Sequence, residues 1–294
     1  EITTRLVGSE MCIRDSNKGG LIMEKKLSII TGNIEKGGTG KTTTIYNLGG
    51  YAVENLGMKV LYIDEDKSQN LSKRFPDAFS KAKRENTINH LYLHGSAEPL
   101  AVNENMDILV AGEDLKQVEM QMRDMPNNRT LLFRWMVVNY EQLKEKYDLI
   151  LIDTHNDAGL LAQNAWAVSD LVVGISDPSK DGFEALLKLG KDIDALAKQL
   201  IDIKTGETLM ETKYATIGSR IKHNTNSSRE FLELVPTLSN YLGYVQEKEL
   251  LNATSLEGKN IAEFAKDKNI YRKNKDFFES TFTLYNKIID TAQE

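Results

Sequence analysis

Six short runs along the chain place apolar side chains on consecutive positions: residues 27–31, 59–64, 106–111, 147–153, 171–175 and 214–218. Between them lie longer stretches with apolar residues at helical spacing, 42–56, 115–122, 131–146, 160–168, 182–200 and 228–242. A strand that is apolar on both sides must be covered on both, and strands alternating with helices predict a parallel sheet sandwiched between helical layers. The expected fold class is therefore α/β, a mostly parallel sheet with helices on both faces. From about residue 245 the chain turns more polar and lysine-rich, and this part is expected to pack as helices on the sheet's edge. Its last stretch, "FFESTFTLYNKIIDTAQE", carries Phe277, Phe278, Phe282, Leu284, Tyr285, Ile288 and Ile289 and reads as a core-packing helix.

Composition narrows the picture by exclusion. Apolar content of 40% and charged content of 27% suit a globular chain with a sizeable core. A formal net charge of -6 leaves no global basic field, so any nucleic-acid contact must come from a local patch. The single cysteine, Cys12, excludes an intramolecular disulfide framework and a cysteine-pair metal site. No apolar run approaches the ~18 residues that span a bilayer. Residues 1–22 lack periodicity and precede Met23; they are expected to be a non-native or disordered leader, with 23–294 forming one domain. A cytoplasmic protein is the default expectation.

The chemistry starts at "NIEKGGTGKTTTIYNLG", residues 33–49, directly after the first predicted strand. Gly37, Gly38 and Gly40 allow backbone N–H groups to turn towards an anion, and the following helix adds the partial positive charge of its N-terminus. In that setting Lys41 reaches the β- and γ-phosphates of a nucleotide, and the Thr42 hydroxyl suits magnesium. Thr39 and Thr43 complete the candidate phosphate cradle. The fold expected is thus of the P-loop NTPase type. The strict phosphate-loop pattern places glycine where this chain has Glu35; the match is to "KGGxGKT", with an additional lysine, Lys36.

That variant resembles the deviant phosphate loop of the ParA/MinD family of dimeric ATPases. The resemblance implies that Lys36 reaches across a homodimer to the nucleotide of the partner. A cation supplied by a second chain would stabilise charge developing on the transferred phosphoryl and so couple hydrolysis to dimerisation. Two further segments support it. "KVLYIDEDKSQNLS" is similar to the family's D-x-D-P-Q-x-N-L-S, which implies that Asp66 activates water and that Asp64 lies near the metal shell, although Lys67 and Ser68 replace Pro-Gln. "YDLILIDTHNDAG" resembles the strand whose last aspartate, here Asp153, holds magnesium; His155, Asn156 and Asp157 follow where relatives continue Pro-Pro. His155 is expected to be a loop histidine without a chemical role. Ser219 and Arg220 fall where relatives contact adenine.

Among the branches, the cluster-binding cysteines of nitrogenase iron proteins, the basic membrane helix of MinD and the tyrosine cluster of bacterial autokinases are all missing. The partition branch is the one left, supported by "LLNATSLEGKNIAEFA". It implies ATP and Mg2+ as cofactors and a homodimer across ATP. It also implies weak hydrolysis stimulated by a ParB-like or other cargo adaptor protein, non-specific DNA binding at the nucleoid, and no membrane association. The candidate basic patch is Arg220, Lys222, Lys259, Lys266, Lys268, Arg272, Lys273 and Lys275, interrupted by Glu263, Asp267 and Asp276. The alternative is a ParA-like ATPase that positions or switches a protein complex without binding DNA.

Overall fold

The computed structural model describes residues 26–294. In chain order its elements are β1 (Ser28–Asn33), α1 (Lys41–Leu56), β2 (Val60–Glu65), α2 (Pro76–Phe79), α3 (Ile88–His94), β3 (Leu100–Asn103), β4 (Met106–Leu109), α4 (Leu115–Met122), α5 (Leu131–Lys146) and β5 (Leu149–Thr154). They continue with α6 (Leu160–Val168), β6 (Leu171–Ser176), α7 (Lys180–Gln199), β7 (Lys213–Ile221), α8 (Asn226–Leu234), β8 (Tyr241–Gln246), α9 (Glu249–Glu257), α10 (Ile261–Ala265), α11 (Lys268–Lys273) and α12 (Lys275–Gln293). The eight strands form one sheet in the order β3-β4-β2-β5-β1-β6-β7-β8. All pairings are parallel except that of the short edge strand β3 with β4.

The central strands β1, β2, β5 and β6 are buried at every position, as their consecutive apolar side chains require. Successive side chains alternate between the faces. Ile30, Tyr62 and Leu151 face a layer built from α1 and α12, while Ile29, Leu61, Ile63, Ile150 and Ile152 face a layer containing α3 to α6. The expected α/β architecture is present. The expected single domain from 23 to 294 falls almost wholly on described residues; the leader 1–22, with Cys12, lies outside them.

Three details differ from the sequence expectation. The helix expected over 228–242 ends at Leu234, Pro236 sits in a short 3-10 turn, and the chain then enters β8. Pro236 cannot donate to a continuing helix, and Gly243, at φ +145°, fits the strand better than a helix. β3 and β8 were not expected as strands because edge strands are only half covered and lack an unbroken apolar run. The C-terminal helices are not confined to the sheet's edge. α12 lies across the face over β1 and β8 beside α1, burying Phe277, Phe278, Leu284, Tyr285, Ile288 and Ile289.

Candidate nucleotide site

All the predicted site residues lie at the C-terminal ends of the parallel strands, where open α/β sheets form their crevices. At the end of β1 the chain passes Gly32, where a Cβ would meet Ile45 of α1 at 2.7 Å, so strand and helix pack too closely for any side chain. The loop then turns through Gly38 (φ +76°) and Gly40 (φ +90°), both in the left-handed region that favours glycine. A Cβ on Gly40 would also strike the Ser219 hydroxyl at 2.7 Å. Gly40 caps α1 with no side-chain acceptor, and the first turn carries no acidic residue. The leading N–H groups of the helix and its positive end are therefore left for an anion.

This end opens into a cavity of about 550 Å³. Gly38 to Thr44 form one wall, Asp66 and Arg74 a second, and Arg220 with the α9 residues Leu251 and Asn252 a third. Lys41 is buried and its Nζ donates to Asp153 Oδ1 (2.9 Å) and to the Thr154 carbonyl. Asp153 pairs in register with Asp64 across β5 and β2, which sets two buried carboxylates side by side. Burial first, and the Asp153 charge second, push Asp64 up to about 7, against the opposing hydrogen bonds from Ser72. Both Asp64 oxygens are engaged: Oδ1 accepts from the Asp66 N–H (3.0 Å), and Oδ2 from the Ser72 N–H (2.8 Å) and hydroxyl (2.7 Å). Asp64 is thus fully engaged within the protein and bonds the loop that carries Asp66.

Asp66 is 4% exposed and lies on the cavity wall. Burial would raise its pKa, but the Ser68 N–H, the hydrogen bond from His155 and the Lys41 charge together hold it below the usual aspartate value. The His155 contact is direct, Nδ1 to Oδ1 at 2.9 Å. His155, expected as a loop histidine without a chemical role, therefore bonds Asp66 directly.

Lys36 is held within its own chain. Its Nζ donates to Asp177 Oδ1 (2.7 Å) and Oδ2 (3.0 Å) and to Ser179 Oγ (2.5 Å), the N-cap of α7. Next to it, Glu35 accepts from Lys188 of α7 (2.6 and 2.5 Å). Arg220 takes a left-handed backbone (φ +58°), and its guanidinium donates to the Gly38 carbonyl (2.7 Å) and approaches Glu247 (3.5 Å). The loop, Lys41, Asp66 and Arg220 are therefore brought together, whereas Lys36 points to α7.

Several cavity residues were missed from sequence: Arg74, Lys248, Leu251, Asn252, Ser255 and Tyr285. The signal for most of them was β8. A strand there would have placed the following helix at the sheet's C-terminal side, beside the phosphate loop.

The residues present fit magnesium. Asp153 Oδ2 is buried without a hydrogen-bond partner, as is Thr39 Oγ1. No cluster of three metal-binding side chains occurs among the described residues. The free Asp153 Oδ2 suits an ion bound through one or two carboxylates, water and phosphate oxygens, as magnesium usually is in nucleotide sites.

The basic patch is partly neutralised. Lys266 pairs with Glu54, Arg220 and Lys222 with Glu247, and Lys275 with Glu279. Lys259, Lys268, Arg272 and Lys273 are exposed without a carboxylate partner among the described residues. No described helix is long and apolar enough to cross a membrane.

Fold and loop together define an α/β protein of the P-loop nucleotide-binding class. A family model described as an AAA domain matches residues 27–204. The virulence plasmid ParA family protein of Chlamydia psittaci is 25% identical over 239 residues, 74% of this chain and 90% of that protein. A protein assigned to plasmid partition in Borrelia burgdorferi, solved with AMPPNP bound, superposes with a TM-score of 0.70 at 23% identity, covering 89% of this chain and 99% of its own. Apo McdA of Cyanothece gives a TM-score of 0.72 at 18% identity, covering 92% and 100%. The chain belongs to the ParA/MinD-type P-loop ATPase family, close to the plasmid partition branch.

Proposed function

We propose that this chain is an ATP-dependent DNA partition ATPase that binds Mg-ATP in the cavity, dimerises across it, and hydrolyses it when a cargo-bound adaptor protein engages. The observation that carries the reading is the uncapped α1 N-terminus, with buried Lys41 on Asp153 and Asp66 across the cavity. The loop N–H groups and Lys41 bind the phosphates, and Thr42 and Asp153 hold the metal. Bound magnesium would neutralise charge on the phosphate oxygens. Asp66 orients a water for attack on the terminal phosphorus; the bond to the leaving oxygen breaks, giving ADP and phosphate.

Lys36 supplies the dimer dependence. Its pair with Asp177 is only partly shielded from water, at 26% and 29% exposure, so it can be exchanged for a stronger charge-assisted partner. Exchange of Asp177 for phosphate oxygens of the facing chain is therefore energetically accessible. Sedimentation with a slowly hydrolysed ATP analogue tests this. Lys36→Ala is expected to bind the analogue yet remain monomeric, and a variant that dimerises and hydrolyses like wild type would refute the cross-dimer role.

A second reading is a ParA-like ATPase that positions a protein complex without DNA. It is favoured by the net charge of -6 and by the four patch cations already near carboxylates. Retention on DNA with ATP but not ADP, weakening steeply with salt, supports the partition reading. Its absence supports the alternative.

A further inference from the structure

Arg74 is a cation in the cavity wall without an ion-pair partner among the described residues. It ends the short 3-10 turn Ser72–Arg74 after β2, and its side chain runs back beside the phosphate-loop helix. One guanidinium nitrogen lies 3.3 Å from Thr43 Oγ1 on α1, the other 3.2 Å from Thr254 Oγ1 on α9. Its carbon sits 5.1 Å from the centroid of the Tyr46 ring. Both hydrogen-bond contacts are long and go to neutral hydroxyls. No carboxylate lies within ion-pairing distance of Arg74 among the described residues; burial disfavours its charged form, and the more distant Asp153 charge offsets this only in part.

A guanidinium stays protonated in proteins, so a half-buried one cannot escape its desolvation cost by losing the proton. An uncompensated charge removed from water is strongly destabilising. The same cavity holds the positive end of α1, and its carboxylates are already engaged elsewhere, Asp66 with His155 and Glu247 with Arg220 and Lys222. A ligand-free wall of this kind is poorly matched to itself and well matched to an anion with several oxygens. The planar fork of arginine suits phosphate oxygens in particular. α9 fully buries only Thr254, while Leu250, Leu251 and Ala253 pack part-buried against the core.

We propose that Arg74 is an additional phosphate ligand, acting within its own chain, which binds the nucleotide's phosphate groups at the Thr43 side of the cavity. This rests on the nucleotide reading above and goes beyond the phosphate-loop motif, because Arg74 comes from the turn after β2. Its contact with Thr254 brings α9 against the same ligand.

The test uses the full chain and measures two properties, affinity for Mg-ADP and for a slowly hydrolysed Mg-ATP analogue by calorimetry, and thermal unfolding without ligand. Arg74→Met, which keeps the bulk and removes the charge, is expected to bind both nucleotides about 10-fold or more weakly, the scale of a hydrogen bond to a charged group. Ligand-free, it should unfold at or above the wild-type temperature, since the unpaired charge is gone. Arg74→Lys should lose less affinity than Arg74→Met, and Thr254→Val should stay within about threefold of wild type, because a neutral hydroxyl bond is worth less. Wild-type affinity in Arg74→Met would overturn the proposal. A lowered unfolding temperature, or a Thr254→Val variant as impaired as Arg74→Met, would also overturn it by making Arg74 a structural strap. The nucleotide reading has its own control: if Lys41→Ala binds normally, that reading fails, whereas a defective Lys41→Ala beside a normal Arg74→Met refutes only the role of Arg74.

Discussion

The centre of the sheet and its β7–β8 flank both border the cavity, and they are built on opposite terms. In the centre, β1, β2 and β5 are buried throughout and deliver Lys41, Asp64, Asp66 and Asp153 from consecutive apolar strands. The carboxylates there are held by specific donors: Asp153 by Lys41, Asp66 by His155, and Asp64 by Ser72 and the Asp66 N–H. At the flank, β8 is half covered, Arg220 and Gly243 take positive φ, and Arg220, Lys222 and Glu247 meet in solvent. The centre can hold reacting groups in place, which phosphoryl transfer requires. The flank can shift with what binds there, since exposed ion pairs cost little to exchange.

The largest expected break in this contrast comes from Lys41→Ala. It removes the phosphate cation and leaves Asp153 buried beside Asp64 without a counter-charge. Breaking such a pair costs about 3–5 kcal/mol, so the variant should lose nucleotide binding and also unfold at clearly lower denaturant. Denaturant titration without ligand checks the second part. Unchanged stability would mean that the centre tolerates an unpaired carboxylate and is less rigidly balanced than its geometry implies.

Asp66→Ala should act on turnover alone. Its carboxylate lines the cavity but makes no bond to Lys41, so ATP binding should persist while hydrolysis falls by ~100-fold or more, the scale for losing a group that handles the water proton. Single-turnover assays on ATP-loaded protein would separate the two steps. Normal hydrolysis would place the water elsewhere.

His155 sharpens the comparison, since it ties the loop after β5 to the loop after β2. Its bond fixes one Asp66 oxygen and leaves the other for water. His155→Ala is expected to lower kcat by about 5-fold at unchanged KM, as a part-buried hydrogen bond worth ~1 kcal/mol predicts. Recovery in His155→Asn, which keeps a donor, would show that orientation is what the ring contributes. A rise in KM instead would make His155 part of the nucleotide-binding surface.

The same contrast explains what could be read in advance. β1, β2, β5 and β6 announced themselves because a strand covered on both faces must be apolar at every position. The phosphate loop was legible because its glycines answer backbone needs, as Gly40 shows with its positive φ and its contact with Ser219. β8 was not legible. "YLGYVQ" packs on both faces, Leu242 and Val245 to one cluster and Tyr241 and Tyr244 to another, but only Val245 is fully buried, so its apolar residues continue the helical spacing of α8. Losing β8 concealed α9 and with it the far wall of the cavity. The contact between His155 and Asp66 could not be read either, because it spans 89 positions between strands whose adjacency depends on sheet order.

The smallest expected effect lies at the flank, in Arg220→Gly. The wild-type residue holds φ +58°, a conformation that costs an L-residue roughly 1–2 kcal/mol and glycine almost nothing. Against that relief stands the bond from its guanidinium to the Gly38 carbonyl, worth about 1 kcal/mol, while the contact with Glu247 at 3.5 Å is exposed and worth less. The two changes nearly cancel, so ligand-free stability should move by no more than about 0.5 kcal/mol in either direction. Nucleotide affinity should fall only a few-fold, because the loop N–H groups and Lys41 remain in place. Paired denaturant and binding titrations on this one variant decide the matter. A large stability loss would show that the strained backbone is held by contacts stronger than these, and the flank would then be as rigid as the centre.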